Sequence, residues 1–231
     1  MTNKAEASRP SEAKQRALVH QLVQTIDAHP DDYHAYYDLT VLLTAGQDFE
    51  QAEALAMKAL GKFETDRQAA DLFRYALGNV YYQAQEYDKA LPYYQKIQDT
   101  KLKNDAYVMM GQSLMAKRDY QHALVWALTA QEAQPTALDT NLLVADILLA
   151  LGNNQQAYTY YQLARQVDPR SGKAAFNAGL TAMVLGKPYA ALFESAEKLD
   201  PEYFQKHQQQ LTDIEKTLAA QKSGDDQATK S

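Results

Sequence analysis

The chain has 231 residues, 46% hydrophobic and 10% aromatic, enough to bury the core of one domain or two. A formal charge of −6, a pI near 5.4 and scattered Lys and Arg argue against nucleic acid as a partner. Cysteine is absent, which removes disulfides and thiolate metal sites; no stretch approaches the roughly 20 apolar residues of a membrane span, so a cytoplasmic protein without membrane contact is expected.

In chain order, Met1 to Arg16 is polar and mixed in charge, so no signal peptide is expected and residues 1–9 are expected to be disordered. Over 10–29, Ala17, Leu18, Leu22, Val23 and Ile26 return at helical spacing behind a weak capping signal of Ser11 with Lys14 and Gln15. This predicts a helix that closes the N-terminal end of the stack of helices beyond it. From 30 to 201 a single pattern dominates: Ala52, Ala90, Ala123, Ala157 and Ala191 recur at separations of 38, 33, 34 and 34 residues. A helical unit of that length cannot bury its apolar face alone and must stack on its neighbours, so the period predicts one uninterrupted all-α solenoid.

The 38-residue first gap predicts a longer loop around Gly61 to Arg67. Pro30, Pro135, Pro169 and Pro201 fall between helices, Pro188 falls in the first turn of its helix, and Pro92 predicts a slight kink. Beyond Pro201, Phe204, His207, Leu211, Ile214 and Leu218 repeat at intervals of three and four, predicting a capping helix over 202–221 and a disordered tail over 222–231.

The residues around Ala90 sharpen this. Leu77-Gly78-Asn79-Val80-Tyr81 precede it, Tyr87 stands just before it, and Tyr94 comes four residues later. The stretch resembles the tetratricopeptide repeat, Trp-x2-Leu-Gly-x2-Tyr, then Ala-x3-Phe, then Pro, with Arg74 in the tryptophan slot. The first unit offers Tyr36, Leu39, Leu43 and Ala52; the third Met110, Gly111, Leu114, Ala123 and Pro135; the fourth Ala145, Leu148, Gly152, Ala157, Tyr161 and Pro169, with Asn141 in the tryptophan slot. In the fifth, Ala178, Gly179, Ala182, Gly186, Ala191 and Pro201 align, but the proline arrives about two residues early and Ser195 replaces the bulky aromatic, so a shortened or differently packed helix is expected.

The resemblance covers roughly residues 31 to 201 and is to all-repeat proteins of bacteria. It implies a right-handed α-solenoid of about five helix pairs, near 33–66, 67–102, 104–136, 138–170 and 172–201, with capping helices at both ends and about 12 helices in all.

In this family the first helix of each pair lines a concave wall. The resemblance therefore implies a peptide-binding groove of Tyr37, Tyr75, Asn79, Tyr82, Gln112, Met115, Asp146, Leu149 and Phe176, some of which must instead fill gaps between helices. Family members that bind chaperone tails clamp a terminal carboxylate with Lys, Asn, Asn and Lys or Arg. Here Tyr37 and Tyr75 stand where a base is needed and Lys173 is the only base at a comparable place, so an apolar or aromatic peptide segment fits better.

Chemistry beyond binding is thin. His29, Asp31, Asp32 and His34 flank Pro30 at a helix start, where Asp is favoured by exposed N–H groups, which is preferred to a metal site. Asp48 with Glu50 has nothing apolar nearby to raise a pKa, and Gly61-Lys62 and Gly186-Lys187 lack the rest of a phosphate loop. No catalytic residue, metal or cofactor is expected. The leading expectation is a non-enzymatic scaffold that binds a protein or peptide; the alternative is a self-associating scaffold whose homo-oligomer is the functional unit.

Overall fold

The computed structural model describes residues 12–228, with side chains from 14 to 217; the expected disordered start at 1–9 lies outside them, as do residues 229–231. Among the described residues there are twelve α-helices and no strand, and no helix is long and apolar enough to cross a membrane. They are α1 (Glu12–Ala28), then two helices for each of the five sequence units, α2 (Tyr33–Ala45) and α3 (Phe49–Lys62), α4 (Arg67–Gln83) and α5 (Tyr87–Gln95), α6 (Thr100–Ala116) and α7 (Tyr120–Ala133), α8 (Leu138–Ala150) and α9 (Asn154–Val167), and α10 (Gly172–Val184) and α11 (Ala190–Leu199), followed by α12 (Pro201–Ala228). The chain divides into two compact units at Lys117, in the turn after α6, where the unbroken period predicts a single one.

In the first unit each helix packs on the next, and α2, α4 and α6 also pack directly on one another in a row. In the second unit α7 to α11 pack successively and α12 lies against both α10 and α11.

Ala52, Ala90, Ala123 and Ala157 are all completely buried, because a helix crossing this closely admits only a methyl group at that point. One turn on, the partner position holds Ala56, Tyr94, Ala127 or Tyr161. Where it holds Tyr94, the ring lies over Gly78: a Cβ there would sit 2.4 Å from the Tyr94 ring.

The fifth pair departs from the alanine register. Ala191 is exposed, and Phe193 and Ala196 occupy the buried positions instead, with the Phe193 ring over Gly179 as Tyr94 lies over Gly78. The cause is the turn before α11. The other pairs are joined by three residues, but residues 185–189 separate α10 from α11, so Pro188 precedes the helix instead of occupying its first turn. The helix starts late, and its buried face is displaced from the alanine count.

The 38-residue gap also has a different origin from the one the sequence suggests. The connection after Lys62 covers 63–66, the same length as those at 96–99, 134–137 and 168–171. The additional residues form one more helical turn at the start of α4, which has 17 residues against 13 in α2 and α8. Pro92 lies inside α5, where its missing N–H leaves the Asp88 carbonyl without a helical donor; the helix continues past it but has only nine residues, ending at Gln95, against 14 in α3, α7 and α9.

That early end is sealed by Asp71. Its fully buried carboxylate accepts the backbone N–H of Gln98 (2.9 Å) and Asp99 (2.8 Å) and pairs with Arg74 at 2.6 Å. Burial alone would raise its pKa, yet these donors hold the carboxyl below the usual range. At the far end, the helix continues to Ala228, beyond the boundary of 221 expected from composition.

Candidate functional site

The row of α2, α4 and α6 encloses a cleft of about 490 Å³ in the first unit. Thr40, Val41 and Thr44 line it from α2, Tyr75, Asn79 and Gln83 from α4, and Met109 from α6. The spacing of four along α4 places these side chains on one stripe of that helix. Gln47, from the turn joining α2 to α3, and Phe49, the first residue of α3, contribute to the lining.

The floor is held by a tyrosine pair. The Tyr94 hydroxyl donates to Asn79 Oδ1 at 2.8 Å, and the Tyr75 and Tyr94 rings lie 6.0 Å apart. Asn79 is thus fixed by Tyr94 from behind the cleft, so its orientation is set before any ligand arrives. Tyr82 packs edge-on against Tyr87, with ring centroids 5.6 Å apart. Burial pushes the Tyr75 and Tyr37 hydroxyls above their usual pKa, and the Asp105 carboxylate adds to this at both, so both rings stay neutral near physiological pH.

Of the nine residues read as groove, the structure brings Tyr75 and Asn79 into the cleft lining, while Tyr37, Tyr82, Gln112 and Met115 are half-buried on α2, α4 and α6 of the same unit. The three in the second unit differ. Phe176 is completely buried: the rings of Phe193, Tyr203, Phe204 and His207 surround it because α12 lays its apolar stripe over α10, so it is core and not groove. Asp146 is engaged within the chain, accepting from the Tyr161 hydroxyl at 2.6 Å and from Lys173 at 2.9 Å. Leu149 is half-buried on α8.

Met109, Thr40 and Thr44 line the cleft although the sequence pattern does not single them out. Met109 lies three residues before Gln112 on α6, so the signal is one helical turn away. Asp31, Asp32 and His34 have structural partners: Asp32 caps α2 by accepting the His34 N–H, and Asp31 pairs with Lys62 at 3.4 Å.

With helix pairs, buried alanines and ring-over-glycine packing in place, a profile of the tetratricopeptide repeat matches residues 41–107, 75–137 and 142–204. The chain belongs to the tetratricopeptide repeat family. Its fold is the all-α solenoid class of that family. Solved structures of other tetratricopeptide repeat proteins resemble it. YrrB, described as having an unusual peptide-binding site, is 22% identical, with 82% of this chain and 97% of that one covered and a TM-score of 0.58. PilF of Pseudomonas aeruginosa is 17% identical over 85% of this chain and 91% of that one, with a TM-score of 0.67. MamA of AMB-1 is 17% identical over 74% and 92%, with a TM-score of 0.58. A comparison with curated proteins gave no match.

Against the repeat pattern, both polar occupants of the tryptophan slot act on connections between pairs. Arg74 neutralises Asp71, which seals the end of α5, and the buried Asn141 amide donates to the carbonyls of Pro135 (2.9 Å) and Ala137 (2.8 Å). In this tetratricopeptide repeat protein the large ring of the pattern is thus replaced by hydrogen bonds to the linking backbone.

Proposed function

We propose that this chain is a non-enzymatic interaction scaffold, located in the cytoplasm, that binds a peptide segment of a partner protein in the cleft between α2, α4 and α6. The observation that carries this reading is the cleft itself, about 490 Å³ with an exposed apolar residue, Val41, at its lining and an amide pre-oriented on its floor. Tyr75, Tyr37 and Tyr82 supply large contact area at modest ordering cost, and Met109 and Met115 supply adaptable apolar surface. Asn79 and Gln112 hydrogen-bond the peptide backbone, which gives affinity without demanding one ligand sequence.

A photo-crosslinking residue placed at Val41 tests this against the same residue at Met57, which is also exposed but lies on α3. The proposal expects adducts with a partner segment from Val41 and none from Met57. Equal capture at both positions, or none at Val41, contradicts it; a Val41 adduct with a second copy of this chain transfers the role to self-association.

A further inference from the structure

We infer that the cleft selects peptides presenting a lysine or arginine side chain, which is received by the carboxylates of Asp38 and Asp105 and the rings of Tyr37 and Tyr75. This rests on the reading of the cleft as a peptide site and adds the chemistry of what enters it.

The placement follows from helix geometry. Asp105 lies one turn before Met109 on α6 and Asp38 one turn before Val41 on α2, so both exposed carboxylates stand one turn beyond the lining, at the end of the cleft where Tyr75 lies one turn before Asn79 on α4. The negative charge of Asp105 is felt at both the Tyr37 and Tyr75 hydroxyls, and that of Asp38 at Tyr37. Two carboxylates and two tyrosines therefore cluster at the mouth of the cleft, beyond its Tyr75 end. A cation is the complement of both, because carboxylates pair with it and aromatic faces attract it.

Neither carboxylate is in an ion pair among the described residues. The nearby cation on α6 is Lys101, one turn before Asp105, and it does not pair with that carboxylate. Partial desolvation raises the Asp105 pKa.

The second unit shows the same kind of site completed in cis. Two repeats on from Asp105, the equivalent helical position on α10 is Lys173, whose ammonium bonds Asp146, and Asp146 also takes the Tyr161 hydroxyl. A carboxylate, tyrosine and lysine there satisfy one another. In the first unit the position that would supply the cation supplies Asp105 instead, over the neutral Asn79, so the positive charge has to come from a ligand. The net charge of −6 acts in the same direction at longer range.

The test is selection of a random dodecapeptide library, displayed on phage, against the full chain and against the Asp105→Asn, Asp105→Lys and Tyr75→Ala variants. Peptides retained by the parent are expected to be enriched in Lys or Arg. A synthetic copy of a retained peptide should bind about five- to tenfold more weakly to Asp105→Asn, or when its basic residue is replaced by Ala, and Asp105→Lys should select acidic peptides. Circular dichroism checks that the Asp105 variants, altered on the surface of α6, keep their helices. Retention that depends on Tyr75 but shows no basic enrichment overturns the cation assignment and leaves the cleft standing. Retention indifferent to Tyr75, or no retained peptide, overturns both.

Discussion

Replacing Gly78 probes the packing on which the whole register depends. A Cβ at this position would lie 2.4, 2.7 and 2.8 Å from three Tyr94 ring carbons, where ordinary contact begins near 3.4 Å. The ring must therefore retreat by about 1 Å, but Tyr94 is fully buried and its hydroxyl is held by Asn79, so retreat strains a hydrogen bond as well. Overpacking of this kind costs about 1–3 kcal/mol, against a helix-propensity gain of about 1 kcal/mol for Gly→Ala. Gly78→Ala should therefore destabilise by about 0–2 kcal/mol, and Gly78→Leu, with three further carbons and the same obstacle, by about 3 kcal/mol or more. Gly61, also in a helix, has nothing within 4 Å of its Cβ position, so Gly61→Ala should stabilise by about 0.5–1 kcal/mol. Urea denaturation followed by helical circular dichroism compares the three. If Gly78→Leu unfolds at the parent's midpoint, or Gly61→Ala costs as much as Gly78→Leu, the ring-over-glycine packing does not exist as described.

Asp71→Asn should destabilise by about 2–3 kcal/mol at pH 7, because it removes the charge that holds two backbone N–H groups and strands Arg74. The folded pKa is depressed, so the carboxylate's contribution is complete above the unfolded value of about 3.9 and is lost as pH falls through the folded one; the gap between parent and variant should close below about pH 4, and a gap constant from pH 7 to pH 3 refutes this. In the fifth pair, Phe193→Ala should cost about 3 kcal/mol or more whereas Ala191→Lys should change stability by less than about 0.5 kcal/mol, reversing the ranking the alanine count implies; a thermal melt of each decides it. Gln85 holds a left-handed φ of 62° in the turn between α4 and α5, the place taken by Gly152 and Gly186 in later pairs, so Gln85→Gly should stabilise by up to about 1 kcal/mol, and a lowered urea midpoint would contradict it.

The parts of the fold legible in the sequence are those fixed by neighbours within one helix pair. Ala90, Gly78 and Tyr94 make one contact whose members are close in the chain, so the repeat period locates it directly. Pro92 can be read as a disturbance, but not that α5 ends early and leaves N–H groups for a carboxylate 27 residues upstream. In the fifth pair the spacing to Ala191 matches while the geometry does not, because Pro188 and a five-residue turn displace the start of α11. Counting residues conserves register only while turns keep their length.

The candidate site divides in the same way. Tyr75 and Asn79 are reachable because inner-helix positions follow from the alanines. Phe176 occupies an equally plausible inner position, yet α12 covers it, and no local pattern in α10 signals that a helix from 201 onward will return across that face. Asp146 likewise stands at an inner position, but Lys173 and Tyr161 take its oxygens.

Binding in the cleft is the central claim, and the affinity of a peptide crosslinked from Val41 for the Tyr75→Ala/Met109→Ala double variant tests it most directly. Fluorescence anisotropy of the labelled peptide should show affinity at least about tenfold weaker than for the parent, since two apolar anchors are each worth more than about 1 kcal/mol at an interface, while helical circular dichroism is retained. Unchanged affinity in a folded double variant would place the binding surface elsewhere on the chain.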